Sequence, residues 1–333
     1  MSEKFIEWSI EEKTFELKYN WKLSRNETIE KTNLFVSLNH FGVITMGEIA
    51  PNVRYKESPI SIKKEFDYLL TKGLNEIEHL NKYQEFICEY SISNALKFGL
   101  ESAITAHTLK TTNTRFSSFF NIKNTTNSET SYTIPIMNVS NIESFISDNK
   151  LDRFSSLKLK INNEEPLDFI KEVVKYYHKT ILIDANEAWK DVDQLINFLN
   201  KLNNFNVELI EQPMPSSQLE EYVYLKKYAP YPIFGDESVI DQDDLEDIAK
   251  QFHGINFKLM KTGGFTKALS MFKSARKLGL KTMIGCMVES TLGISSALNL
   301  ASEVDYVDLD GFMLIKNEPF GLIKEQNGIL YLN

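Results

Sequence analysis

The sequence predicts an α/β protein: a modified TIM barrel, (β/α)7β, behind an N-terminal α+β unit that the C-terminal tail completes. Three observations predict it. From Tyr132 onward, short apolar runs alternate regularly with amphipathic segments, the rhythm of a parallel barrel. Before that point strand-like segments come first and helical ones after, the order of an α+β unit. The last barrel unit lacks its helix: after Asp310 the chain runs through Pro319 and Gly321 into an apolar tail, Ile329-Leu330-Tyr331-Leu332.

In the first unit, residues 14–19 and 33–38 alternate in polarity, and 43–49 follow a turn at Gly42, so all three read as strands. Residues 60–70 and 92–109 have the helical period. Residues 110–131 are rich in Thr, Asn and Ser and read as a loop or linker. The expected barrel strands are 133–138, 156–161, 180–184, 207–211, 233–236, 254–260, 281–287 and 306–310. Between them lie segments such as Leu167, Phe169, Ile170, Val173, Val174 and Tyr177, spaced like one face of a helix. The organisation expected is a cap over 1–125, a barrel over 126–317, and a tail over 318–333 that returns to the cap.

Composition excludes several classes. With 333 residues, 42% hydrophobic and 25% charged, the chain is neither disordered nor fibrous. A net charge of −9 repels phosphate backbones, so nucleic acid is not an expected partner. No apolar run approaches the length that spans a bilayer. Residues 1–8 carry two acids and no basic-then-apolar leader pattern. Cys88 and Cys286 cannot make a disulfide framework or a CxxC metal site, and a reducing cytoplasm is the simplest home.

Chemistry in parallel barrels sits at the carboxyl ends of the strands. Asp184, Glu211 and Asp236 end strands three, four and five, with spacings of 27 and 25 residues, one strand–helix unit each. Acids favour loops after strands, which would explain any one of them. Three converging carboxylates repel unless a cation joins them. An all-oxygen set suits Mg²⁺, one ion per chain, better than Zn²⁺, and none of the five histidines stands at a strand end. Lys158 and Lys160 lie two apart on strand two and so face one way; Lys258 stands four strands further round. A buried lysine is costly unless paired or used, and desolvation makes it a usable base. Lys160 and Lys258 flank the proposed metal from opposite sides. Lys261, past the strand end, reads equally well as a salt-bridge lysine.

On these residues the chain resembles the enolase superfamily, in its muconate-lactonizing-like subgroup. The motifs are Lys158-Leu159-Lys160, Asp184-Ala185-Asn186, Glu211-Gln212-Pro213, Asp236-Glu237-Ser238, and the run from Lys258 through Lys261 to Gly264. Strand eight narrows the resemblance: Asp308-Leu309-Asp310 is similar to the Asp-X-Asp signature of dipeptide epimerases, as is the segment running from Gly285 through Glu289 to Gly293. Enolase-superfamily sites are known to combine a Lys or His base with Mg²⁺ that stabilises an enediolate. The resemblance therefore implies an isomerase that inverts the α-carbon of the C-terminal residue of a dipeptide by two-base 1,1-proton transfer. Lys160 and Lys258 serve opposite faces. Lys158 stays charged beside the substrate carboxylate, and Asp308 and Asp310 hold the free α-ammonium. Asn186, Glu237 and Glu289 are expected to support these groups from behind.

Side-chain preference rests on a cap segment, Trp21-Lys22-Leu23-Ser24-Arg25. Arg25 either grips a substrate carboxylate, as in Ala-Glu epimerases of cell-wall peptide metabolism, or pins its own loop. Two rival readings keep part of the pattern. An o-succinylbenzoate synthase or cycloisomerase of the same subgroup would retain the metal triad and lysines without needing Asp308 and Asp310. A barrel binding protein without turnover would not need the full set of catalytic positions, none of which is substituted. Superfamily members are often multimers, so a homo-oligomer is compatible, although the sequence displays no interface.

Overall fold

A computed structural model of the chain describes residues 6–22, 27–242 and 244–333. The N-terminal unit opens with an antiparallel sheet in the order β1 (Glu7–Lys22), β2 (Glu27–His40), β3 (Val43–Ile49). The first two strands run well past the expected 14–19 and 33–38, as a largely exposed ribbon whose register shifts between Glu16 and Trp21. That polar extension lacks the buried-face alternation that marks a strand in sequence. The sheet is buried on both faces near its base. Leu34, Val36 and Leu38 face the main core, whereas Phe15, Leu17 and Phe35 pack on Ile315 from the end of the barrel.

Helices α1 (Pro59–Thr71), α2 (Leu80–Ile87) and α3 (Asn94–Thr112) cover the first face. Ser58 and Ser61 form a reciprocal capping box at the start of α1, with Pro59 in the first turn, where its missing N–H is no loss. α3 lies against β3 through paired glycines: a Cβ on Gly47 would sit 1.9 Å from Gly99 O, and one on Gly99 would sit 2.3 Å from Ile49 Cγ1. Residues 110–131 hold more than a loop. α4 (Phe116–Phe120) forms because Phe116 and Phe120 pack on Phe265, with ring centroids at 4.9 and 5.6 Å. β4 (Asn127–Glu129) is a polar strand that pairs with the tail.

The barrel strands are β5 (Tyr132–Ile134), β6 (Ser156–Lys160), β7 (Thr180–Asp184), β8 (Val207–Glu211), β9 (Ile233–Gly235), β10 (Gly254–Lys258), β11 (Lys281–Gly285) and β12 (Tyr306–Asp308), all parallel and in sequence order. Several end earlier than expected. Pro135 stops β5, since it has no N–H for the ladder. Ser131 N donates to Val307 O at 3.2 Å, which brings the two ends of the sheet together. The intervening helices are α5 (Ile142–Asp148), α6 (Pro166–Tyr176), α7 (Val192–Asn200), α8 (Leu219–Tyr228), α9 (Glu246–Gln251), α10 (Leu259–Thr262), α11 (Phe265–Lys277) and α12 (Thr291–Leu298). Among the described residues no helix is long and apolar enough to cross a membrane.

Inside the barrel, Leu182, Leu209, Phe234 and Met283 form an apolar plug. Strand periodicity puts Asp184, Glu211 and Asp236 two residues above three of these, on the same side. The plug therefore closes the barrel below and leaves the acids at its top, under the N-terminal sheet. The tail forms a hairpin, β13 (Ile323–Gln326) and β14 (Ile329–Leu332), that pairs with β4. Phe320, just before it, packs against Phe35 of the N-terminal sheet, with centroids 5.3 Å apart.

Candidate active site

A cavity of about 420 Å³ lies between the barrel top and the N-terminal unit. Its floor holds Lys158, Lys160, Lys258, Asp236, Asp308 and Asp310. Trp21, Lys31, Asn52, Arg54 and Tyr55 form its roof. Asp184 and Glu211 lie deeper, each with 0% exposure. One carboxylate oxygen from each of Asp184, Glu211 and Asp236 lies within 4.8 Å of the others. Register explains the convergence: Lys160 pairs with Asp184, and Asp184 with Glu211, so these strand ends are level.

The amines and carboxylates interlock. Lys158 Nζ stands 2.7 Å from Asp308 Oδ2, 2.8 Å from Glu211 Oε2 and 3.1 Å from Asp184 Oδ2. Lys160 Nζ lies 2.5 Å from Asp184 Oδ2, and Lys258 Nζ 2.8 Å from Asp236 Oδ2. Lys261 is buried too, and donates to Asp236 Oδ1 at 2.6 Å and to the main-chain oxygens of Asp236 and Asn256. It is thus a salt-bridge lysine of the interior.

Electrostatics follow from this packing. Burial opposes the charge of Lys158, but Asp308, Glu211 and Asp184 outweigh it and hold the amine protonated well above the usual lysine range. Burial likewise opposes the charge of Lys258, and Asp236 reverses the balance upward. Asp236 is held well below the carboxylate range: burial works against its charge, and Lys258 and Lys261 prevail. Asp184 is lowered against its burial by Lys160 and Lys158. Glu211 is pushed up to about 7 by burial and by Asp184.

These residues fit a hard divalent cation. Three buried carboxylates converge, and Glu211 Oε2 accepts no hydrogen bond despite its proximity to Lys158. Lys158, Lys160 and Lys258 set positive charge against these carboxylates. Lys258 cannot act as a base while Asp236 holds its amine protonated; a cation on Asp184, Glu211 and Asp236 would take over that carboxylate and lower the proton affinity of Lys258.

The remaining expected residues are placed as follows. Asp308 accepts from Ser131 Oγ at 2.6 Å besides pairing with Lys158, and Asp310 accepts from Thr133 N at 2.6 Å. Asp310 is pushed up to about 7 by burial and by Asp308. Asn186 N donates to Asp184 Oδ1 at 3.1 Å, and Asn186 Nδ2 to Glu237 Oε1 at 3.3 Å. Glu289 accepts from Met287 N and is pushed up to about 8 by burial and by Glu48. Arg25 lies outside the described residues.

Sequence reasoning missed two contributors. Asn256 Nδ2 donates to Glu211 Oε1 at 2.9 Å, and its position two residues before Lys258 on β10 was the available signal. Arg54 Nε and Nη2 grip Glu187 at 3.1 and 2.9 Å, fastening the roof to the loop after β7, the strand that ends in Asp184; nothing in local sequence announces that pair.

Comparison with known proteins agrees with this geometry. The family model described as "Enolase C-terminal domain-like" matches residues 145–310. An L-Ala-D/L-amino acid epimerase of Maribacter sp. is 32% identical over 317 residues, 93% of this chain and 91% of that one. An N-acetyl-D-glutamate racemase of Pseudoalteromonas sp. is 40% identical over 140 residues, 41% of this chain and 43% of its own. The substrate-liganded L-Ala-D/L-Glu epimerase of Bacillus subtilis shares the fold at a TM-score of 0.89 and 21% identity, covering 99% of this chain and 97% of that one. The chain thus belongs to the enolase superfamily, among its dipeptide epimerases.

Proposed function

We propose that this isomerase epimerises dipeptides at the α-carbon of their C-terminal residue, with one Mg²⁺ per chain. The observation that carries the reading is the pair of amines at opposite ends of the acid triad: Lys160 on Asp184 and Lys258 on Asp236. Mg²⁺ held by Asp184, Glu211 and Asp236 would draw charge from the substrate carboxylate and acidify the α-proton. With the substrate between them, one amine takes the α-proton from one face, and the other ammonium returns a proton to the opposite face. Two bases on opposite faces invert the centre, whereas one alone only exchanges it. Lys158, the most buried of the three at 2% exposure and held in its charged form by Asp308, Glu211 and Asp184, binds the substrate carboxylate rather than exchanging protons. Asp308 and Asp310 line the same cavity at the end of β12, with Lys158 between Asp308 and the triad, and there they meet the dipeptide's α-ammonium.

The name of the Maribacter relative supports L-Ala dipeptides with a variable second residue as the substrates, L-Ala-L-Glu among them. The test is incubation of a dipeptide library in D₂O with Mg²⁺, read by mass shift and chiral chromatography. Inversion with one deuterium per turnover is expected for L-Ala dipeptides. Deuteration confined to N-acetylated amino acids or to a succinylbenzoate precursor would reassign the substrate.

A further inference from the structure

We infer that Gln212 is the positioning residue of the metal centre: its side-chain amide extends the β8–β9 ladder one step beyond the strands and so sets Asp236 against Glu211. The inference rests on the metal reading above. The β8–β9 pairing consists of Ile210 with Ile233 and Glu211 with Phe234, and β9 stops at Gly235. Asp236 therefore stands past the end of its own strand. Its backbone N–H is taken by Gln212 Oε1 at 2.8 Å, and the same oxygen accepts from Ser238 N at 3.0 Å.

The other end of the amide is equally occupied. Gln212 Nε2 lies 2.8 Å from Tyr222 Oη, 2.7 Å from Ser238 Oγ and 3.2 Å from Met214 O, all as acceptors. The orientation is unique, because turning the amide over would set its NH₂ against two backbone N–H groups. Tyr222 is itself fixed, since Met214 N donates to its hydroxyl at 2.9 Å. The main chain adds two further ties. Gln212 N donates to Phe234 O at 2.8 Å, and Glu187 N donates to Gln212 O at 2.7 Å. One residue thus joins the ends of β7, β8 and β9, the three strands that present the triad.

The backbone of Gln212 shows that this arrangement is costly. Its φ is 34°, in the left-handed region that disfavours a residue with a Cβ. Glycine would adopt that turn at less cost but would leave Asp236 N and Ser238 N without their acceptor. The side chain, with 0% exposure, is what the position requires. Mg²⁺ tolerates little deviation from octahedral geometry, so a ligand strand free to shift should bind it less well.

The test is the Mg²⁺ dissociation constant of the substrate-free chain, measured by calorimetry on folded protein. Gln212→Met keeps the volume and removes every side-chain hydrogen bond. It should weaken Mg²⁺ binding about 10- to 100-fold, as loss of a group behind a metal ligand commonly does. Tyr222→Phe, which loosens only the amide's far end, should weaken it about 3-fold by the same reasoning. Leu225→Ala, a cavity on the same helix, should lower the melting temperature while leaving the constant unchanged. Wild-type affinity in folded Gln212→Met overturns the inference. Should that variant fail to fold, Tyr222→Phe decides, and an unchanged constant there overturns it equally. A wild-type chain that binds no Mg²⁺ overturns the metal reading, and this inference with it.

Discussion

Glu48 of the N-terminal sheet accepts hydrogen bonds from the backbone N–H and the hydroxyl of Ser290, at 2.9 and 2.6 Å, across 242 residues of chain. Gly293 N adds a third donor at 2.9 Å and Asn33 Nδ2 a fourth at 2.8 Å. A carboxylate from one unit thus caps the N-terminus of α12 in the other, where the helix dipole favours it. Asn33 Nδ2 also donates to Val288 O at 3.0 Å, and Val288 lines the cavity. The joint that docks the roof therefore also shapes a wall of the candidate active site.

Glu48→Ala should remove that joint. Each buried donor left without a partner costs about 1–3 kcal/mol, and at least three are stranded, so a loss of about 3 kcal/mol or more is expected in urea denaturation. KM for the dipeptide should rise with it. A loss below about 0.5 kcal/mol, the level of an ordinary surface change, would show that the joint does not hold the roof.

Glu101 repeats the device at α11, accepting from Thr266 N and Oγ1 at 3.1 Å each. Burial pushes its carboxyl up to about 7 despite those bonds. The folded chain therefore holds this proton more tightly than the unfolded chain. Its stabilising contribution is complete below the unfolded value of 4.5 and is lost as pH rises toward about 7. The shift corresponds to roughly 3 kcal/mol. Glu101→Gln, which cannot ionise, should flatten the fall in stability over that window. An unchanged slope in the variant would assign the pH dependence to other groups.

What was legible in the sequence follows from short-range physics. Strand periodicity and the strand–helix repeat carry Asp184 and Glu211, 27 residues apart, to equal heights, and a further 25 residues bring Asp236 to the end of the next strand. Lys158 and Lys160 share a face for the same reason. The parts left unread depend on contacts that spacing does not encode. Arg54 meets Glu187 across 133 residues, and α4 owes its existence to Phe265, far along the chain. The shortness of β9 was also hidden. Residues 233–236 read as one strand, yet Asp236 stands outside the ladder and relies on Gln212.

Lys160→Ala and Lys258→Ala should each abolish inversion, a loss of about 10²–10⁴-fold for removal of one acid–base group. Each should still exchange deuterium into one stereoisomer, a different one in the two variants, because the opposite amine remains. Arginine at either position should fail as well, since guanidinium stays protonated. Chiral chromatography with mass detection in D₂O reads both outcomes. Full racemising activity in either alanine variant would rule out the two-base scheme.

Asp308 and Asp310 should prove unequal. Asp310 touches Thr133 N, whereas Asp308 Oδ2 is also the 2.7 Å partner of Lys158. Asp310→Asn should therefore weaken turnover of free dipeptides alone. Truncating one member of a desolvated ion pair costs about 2–5 kcal/mol, or roughly 30-fold or more in kcat/KM. Mg²⁺ affinity should stay at the wild-type value. Asp308→Asn should damage both properties, because Lys158 then leans wholly on Asp184 and Glu211, the carboxylates a cation needs. A pH signature separates the pair further. With Asp310 pushed up to about 7, its charged form grows as pH rises through neutrality. Affinity for free dipeptides should improve over that range, and the improvement should vanish in Asp310→Asn. N-acetylated dipeptides, which carry no ammonium, should be poor substrates with no such dependence. If they are turned over as fast as free dipeptides, the two aspartates do not read an ammonium, and the substrate belongs with that of the N-acetyl-D-glutamate racemase relative.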